Sequence, residues 1–301
     1  MKGTTTFQDH EVWQISNGAS RVLIAPDYGA RLLNWEINEQ PIIYWPEQAD
    51  WDKLAGTRGG NPILFPFVAR HMVDSVIGRW KDKEGVVREL PMHGFARDMA
   101  FEVMEDPDPH TLRMRITSTA STRIYYPFDF IFDVIYRLTE TQLAVRFETT
   151  NSGDEPLPYY AGHHFYFAVP HEERAAWQLT LPCRRWGHQS PDGSVHFEQA
   201  TQTRFTLNDA SLIDRFQLDF ESNKIVLQHS QSTRKVILNL QSDSTVPWYD
   251  VTTWTEKLDS DFFCIEPWLG LPNAIHHGHG LRMLAAGKIE VASCSISVSG
   301  L

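Results

Sequence analysis

The sequence predicts an all-β protein, a large antiparallel sandwich or barrel. The dominant apolar period is two rather than 3.6, the periodic runs are short and rich in β-branched and aromatic residues, and turn-forming clusters separate them. In chain order the strand candidates are "SRVLIAP" (20–26), "RLLNWEI" (31–37), "TLRMRITST" (111–119), "FIFDVIYRL" (130–138), "TQLAVRFETT" (141–150), "NKIVLQHS" (223–230), "RKVILNL" (234–240), "FFCIEPW" (262–268) and "IEVASCSISV" (289–298). Glu84-Gly85, Pro107-Asp108-Pro109, Ser152-Gly153-Asp154 and Asp192-Gly193 mark turns. Only "EERAAWQL" (172–179) and "HGLRMLAAG" (279–287) read as short helices. No linker, charge block or internal repeat divides the chain, so residues 1–301 are expected to form one domain.

Composition narrows the function classes. A net charge of −11 and a pI near 5.6 argue against nucleic acid or an anionic membrane as the main partner. Cys183, Cys264 and Cys294 are far apart and lack CxxC spacing, which implies neither disulfides nor a zinc knuckle and suits a reducing cytoplasm. The N-terminal stretch lacks a secretory h-region, and no apolar run reaches the ~20 residues that span a bilayer. Twelve per cent aromatic residues, with ten Trp, is compatible with sugar stacking platforms as well as with an aromatic core.

Three stretches carry chemistry. In "YYAGHHFYFAVP" (159–170), strand parity puts Tyr160, Gly162, His164, Tyr166 and Ala168 on one polar-aromatic face. Ala161, His163, Phe165, Phe167 and Val169 share the other, apolar one, so His164 is the functional candidate and His163 the structural one. In "FFCIEPWLGLP" (262–272), Glu266 lies inside an apolar strand, where burial raises a carboxyl's pKa and suits it to act as a base near neutral pH. "TRGGNPILFPFVARHM" (57–72) and "LPMHGFARDMAFEV" (90–103) supply Arg58, Arg70 and Arg97 as oxyanion or hydroxyl donors. They also supply His93 before a glycine, at an expected strand start. His277 and His279 could share an ion, but nothing nearby completes the ligand set, so no metal site is expected. Nucleotide-binding glycine motifs and "GxSxG" are missing.

Together, "RGGNPILFPFVAR", "HGFARDMAFEV", "GHHFYFAVP", "LIDRF" and "CIEPWLGLPNAIHHGHGLRMLAAGKIEV", with "APDYGARLLNW" upstream, resemble the aldose 1-epimerase (galactose mutarotase) family. The branch they resemble most contains the hexose-phosphate mutarotases and related epimerase-like proteins. The resemblance implies a galactose mutarotase-like β-supersandwich, with His164 as catalytic acid and Glu266 as catalytic base. It implies that His93, Arg70 and Asp214 bind sugar, and that Arg58 and Arg97 hold a phosphate. Two positions depart from the pattern: Ala168 stands where an asparagine commonly follows H-x-x-F, and Asn61 where the phosphate branch carries an aliphatic residue.

Interconverting the α and β anomers of an aldohexose or hexose 6-phosphate requires a base at the C1 hydroxyl and an acid at the ring oxygen. These are expected on opposite sides of the ring, with no metal or organic cofactor. The alternatives are a non-catalytic carbohydrate-binding protein and a metal-dependent sugar isomerase. The expected partner is thus a small sugar or sugar phosphate, the expected assembly a monomer or homodimer, and the expected location cytoplasmic.

Overall fold

Two antiparallel sheets dominate the computed structural model, which describes residues 1–241 and 243–301. The larger has 13 strands. Its path runs Lys2–Phe7, His10–Asn17, Ser20–Ala25, Arg31–Ile37 and Gln40–Ile43, then Phe165–Ala168, Phe262–Trp268, Asp250–Trp254, Arg215–Phe220, Cys183–Gln189 and Val195–Gln199. The second has nine strands, with Phe130–Leu138, Gln142–Asn151 and Ile289–Ser299 at its centre. All nine strand candidates of the sequence are strands. The two expected helices are not. Residues 172–179 give a 3-10 turn and the strand Trp177–Thr180, and residues 279–287 contain the strand Arg282–Leu284. Sheet partners are waiting for both segments, and pairing overrides weak helix propensity. The α-helical turns are Ala120–Tyr125 and Ala274–His277. Neither is long and apolar enough to cross a membrane.

Period-two patterning builds the core. Gln142–Asn151 alternates half-buried and buried residues without a break, as expected of a strand with one face on the core. One apolar cluster gathers side chains from both sheets, from Ile15 to Val298. Phe262–Trp268 is buried at every position. Its Phe263 and Ile265 enter that cluster, while Phe262 and Cys264 belong to a separate one with Tyr166 on the opposite face. The centre of the large sheet therefore carries buried side chains on both faces.

The loop from Leu54 to Asn61 is fixed onto this face by a buried cation. Arg31 points inward from its strand and donates to the carbonyls of Leu54 (2.6 Å), Thr57 (2.6 Å) and Gly59 (2.7 Å). Burial lowers its pKa to about 10, so it remains charged at neutral pH. A side chain at Gly60 would meet the Leu32 carbonyl at 2.0 Å, so the loop can lie this close only with glycine there.

His71 anchors the following segment through Nε2, 2.7 Å from the Leu90 carbonyl. Desolvation takes its pKa from 6.5 down to about 4. A depressed histidine adds stability that is fully present above pH 6.5 and is lost as pH falls toward about 4. The shift corresponds to about 3 kcal/mol at 1.36 kcal/mol per unit. Thermal midpoints measured across this window should therefore fall less steeply for His71→Gln than for the wild type. Buried carboxyls slope the other way in both proteins and cancel in the comparison, so identical slopes would refute the assignment.

Candidate active site

A cavity of about 210 Å³ opens on the outer face of the large sheet. Arg58, Arg70, His93, His164, Asp214 and Glu266 line it, six of the seven residues singled out from the sequence. Thr252, Trp254, Phe216 and Trp268 complete much of the wall. Sheet register brings them together: Thr252 pairs with Glu266, Trp254 with Cys264, and Phe216 with Thr252.

The expected strand over 158–169 is broken into Leu157–Tyr159, Gly162–His163 and Phe165–Ala168. Tyr160 leaves the polar face and stacks on Phe67 in the core, with centroids 4.6 Å apart. The parity of the two histidines survives. His163 is wholly buried against Phe147, Phe165 and Trp248, whereas His164 faces the cavity and stacks on Tyr166 at 4.7 Å. Asn61 holds both. Its Oδ1 accepts the backbone N–H of His164 at 2.8 Å, and its Nδ2 donates to His163 Nδ1 at 3.1 Å. The Asn61 departure from the family pattern is thus a clamp beneath the histidine pair.

His164 Nδ1 and Glu266 Oε2 lie 3.4 Å apart, within ion-pair distance but not aligned as a hydrogen bond. They sit side by side, not on opposite walls. A sugar ring makes contacts of about 3.5–4 Å on each face and cannot fit between them. Desolvation pushes the Glu266 carboxyl well above its usual range, and Asp214 and Asp250 add to this. Desolvation also holds His164 well below 6.5, reinforced by Arg31, Arg97 and Arg58. Both directions favour a neutral pair.

His93 is not at a strand start. It and Gly94 have positive φ (69° and 74°), forming a turn into the 3-10 segment Ala96–Asp98. A Cβ at Gly94 would meet the Phe65 carbonyl at 2.1 Å, which requires glycine. The turn sets the His93 ring 5.6 Å from that of His164. His93 Nδ1 accepts the Ala69 N–H at 3.0 Å, and burial keeps the ring neutral, so its proton is on Nε2 as a donor.

The cations divide. Arg58 lies over the Trp254 ring at 5.2 Å and pairs with Glu256 at 3.1 Å; Arg70 lines the wall half-buried. Arg97 is not part of the lining. Its Nε is buried, makes no hydrogen bond and lies 3.8 Å from the Asp98 carboxylate, and its charge acts on His93 and His164.

The family model for aldose 1-epimerases matches residues 11–297. The chain belongs to the aldose 1-epimerase family. A protein provisionally named glucose-6-phosphate 1-epimerase in Escherichia coli K12 is 25% identical over 133 residues, covering 41% of this chain and 40% of that protein. A Cenchrus ciliaris protein with the same provisional name is 21% identical over 264 residues, covering 80% and 72%. The chain thus matches about two fifths of the length of the Escherichia coli relative. Among solved structures, the Slr1438 protein of Synechocystis sp. PCC 6803 superposes with a TM-score of 0.83 at 22% identity, covering 99% of each chain. A galactose mutarotase-related enzyme of Lactobacillus acidophilus gives 0.81 at 24%, covering 96% of this chain and 97% of that one. These likenesses establish the all-β mutarotase-like fold.

Motif reading missed Asn61 as a clamp and missed Thr252 and Trp254 on the cavity wall. The alternation of Asp250, Thr252 and Trp254 in "YDVTTWTEK" was the available signal. Asn61→Leu should orphan the buried His164 N–H at about 1–3 kcal/mol. It should also lower the kcat of a reaction that uses His164 roughly 10-fold or more by letting the ring drift. Steady-state kinetics on the folded variant would check this; an unchanged kcat would show that the clamp does not position His164.

Proposed function

We propose that the chain interconverts the α and β anomers of an aldohexose or hexose 6-phosphate, with Glu266 as base and His164 as acid. The supporting observation is the 3.4 Å approach of these two buried groups at the cavity floor. O1 and O5 of an aldopyranose are bonded to the same carbon, so a base and an acid standing side by side can address both at once.

Protonated Glu266 with neutral His164 carries the same number of protons as the carboxylate with imidazolium. The two states differ by one proton moved between Oε2 and Nδ1. A bound sugar replaces lost hydration with hydroxyl hydrogen bonds, which stabilises the charged form. Glu266 then takes the O1 proton, His164 gives its proton to O5, and the C1–O5 bond breaks as the C1 aldehyde forms. This leaves the pair neutral, the form its buried setting favours, so the environment stabilises the ring-opened state. Rotation about C1–C2 and the reverse transfers close the ring on its other face. His93 Nε2–H donates to a sugar oxygen, and Trp254 and Trp268 hold the sugar without fixing every hydroxyl.

Arg31, Arg97 and Arg58 add to the desolvation that holds His164 neutral, and their charge favours a substrate carrying an anion. Arg58 and Arg70 are the cations on the lining, so they would take the 6-phosphate.

Glu266→Gln and His164→Asn should each slow anomerisation at least ~100-fold, measured by polarimetry on α-glucose 6-phosphate, α-glucose and α-galactose. Unchanged rates in folded Glu266→Gln would exclude the mechanism. Arg58→Ala and Arg70→Ala should raise KM for the phosphorylated sugar selectively; equal effects on free and phosphorylated sugars would remove the phosphate role.

A further inference from the structure

One donor atom beside the acid–base pair, the wholly buried Sγ of Cys264, has no part in the proton chemistry. Cys264 projects from the same face of its strand as Glu266, and its Sγ, His164 Nδ1 and a Glu266 oxygen all lie within 4.8 Å of one another. Nδ1 and Oε2 are buried without hydrogen-bond partners, and their separation is 3.4 Å. A tetrahedral ion with bonds of about 2.0–2.1 Å to nitrogen and oxygen holds such ligands about 3.4 Å apart. Nitrogen, thiolate and carboxylate donors are the mixed set that Zn²⁺ accepts in sites that keep a fourth position open. Here that position faces the cavity, since His164 and Glu266 line it.

We propose that His164, Cys264 and Glu266 form a binding site for a thiophilic divalent cation, best matched by Zn²⁺, whose occupation shuts off proton transfer. Binding forms bonds from Nδ1, Sγ and Oε2, and releases to solvent the thiol proton and the single proton shared by the acid–base pair. Inhibition rests on the acid–base reading above, whereas cation binding does not. The second His–carboxylate cluster, His171, Glu172 and Asp261, is fully exposed, holds no thiol, and already joins His171 Nδ1 to Asp261 at 2.8 Å. It serves as the control.

The test titrates Co²⁺ alone into the purified full chain. A near-ultraviolet thiolate-to-cobalt charge-transfer band should appear, saturate at one ion per chain and vanish on adding Zn²⁺. Losing a group that merely orients a ligand costs about 10–100-fold in affinity, so loss of the thiolate in Cys264→Ser should cost at least ~100-fold and abolish the band. Asp261→Asn should keep it. Zn²⁺ should stop anomerisation by the wild type, reversibly with a chelator, and leave Cys264→Ser turning over. Absence of the band in the wild type, or its persistence in Cys264→Ser, overturns the site. Equal zinc inhibition of both proteins overturns its inhibitory role. A band in a protein that anomerises no sugar contradicts the proposed function and supports the site.

Discussion

The geometry of the site depends on one buried guanidinium. Arg31 gathers the carbonyls of Leu54, Thr57 and Gly59, and the loop from Leu54 to Asn61 carries Arg58 to the cavity wall and Asn61 beneath the histidines. A neutral side chain at position 31 would orphan those carbonyls, each at about 1–3 kcal/mol. The same charge also enters the chemistry, because it helps hold His164 neutral. Scaffold and electrostatics are therefore not separable here. Asn61 extends the chain of contacts from Arg31's loop to His164, and Tyr166 and Trp254 pack against that ring.

Burying an acid and a base together is costly unless the pair can neutralise itself. Glu266 and His164 can, because their neutral and ionised forms share one proton count. Their closeness is thus a requirement of burial as well as of reaction. It also explains why the residues sit side by side: charges placed on opposite walls could not exchange that proton directly. The cationic arginines around them tilt the balance further toward neutral histidine.

Much of the site was legible because a strand's period of two is local. That period separates His163 from His164, and it places Glu266 on the outer face of an all-buried strand. The nine strands were legible for the same reason. The misreadings arose where distant parts of the chain decide. Tyr160 turns inward because Phe67 offers a stacking partner, and residues 282–284 pair as a strand because Leu157–Tyr159 lies beside them. Arg97 lies in the 3-10 segment Ala96–Asp98 and is not among the lining residues. Thr252 and Trp254 reach the cavity through register with residues 264–266, information that no single segment contains.

The central claim is that this pocket accelerates the exchange of anomers. Two-dimensional exchange NMR on equilibrated α- and β-glucose 6-phosphate and on free hexoses, with a catalytic amount of the wild-type protein, measures that rate directly. The account predicts α–β exchange well above the protein-free rate for at least one of these sugars, strongest for the phosphorylated one. Binding of these sugars with exchange no faster than in buffer would contradict it and leave a carbohydrate-binding protein.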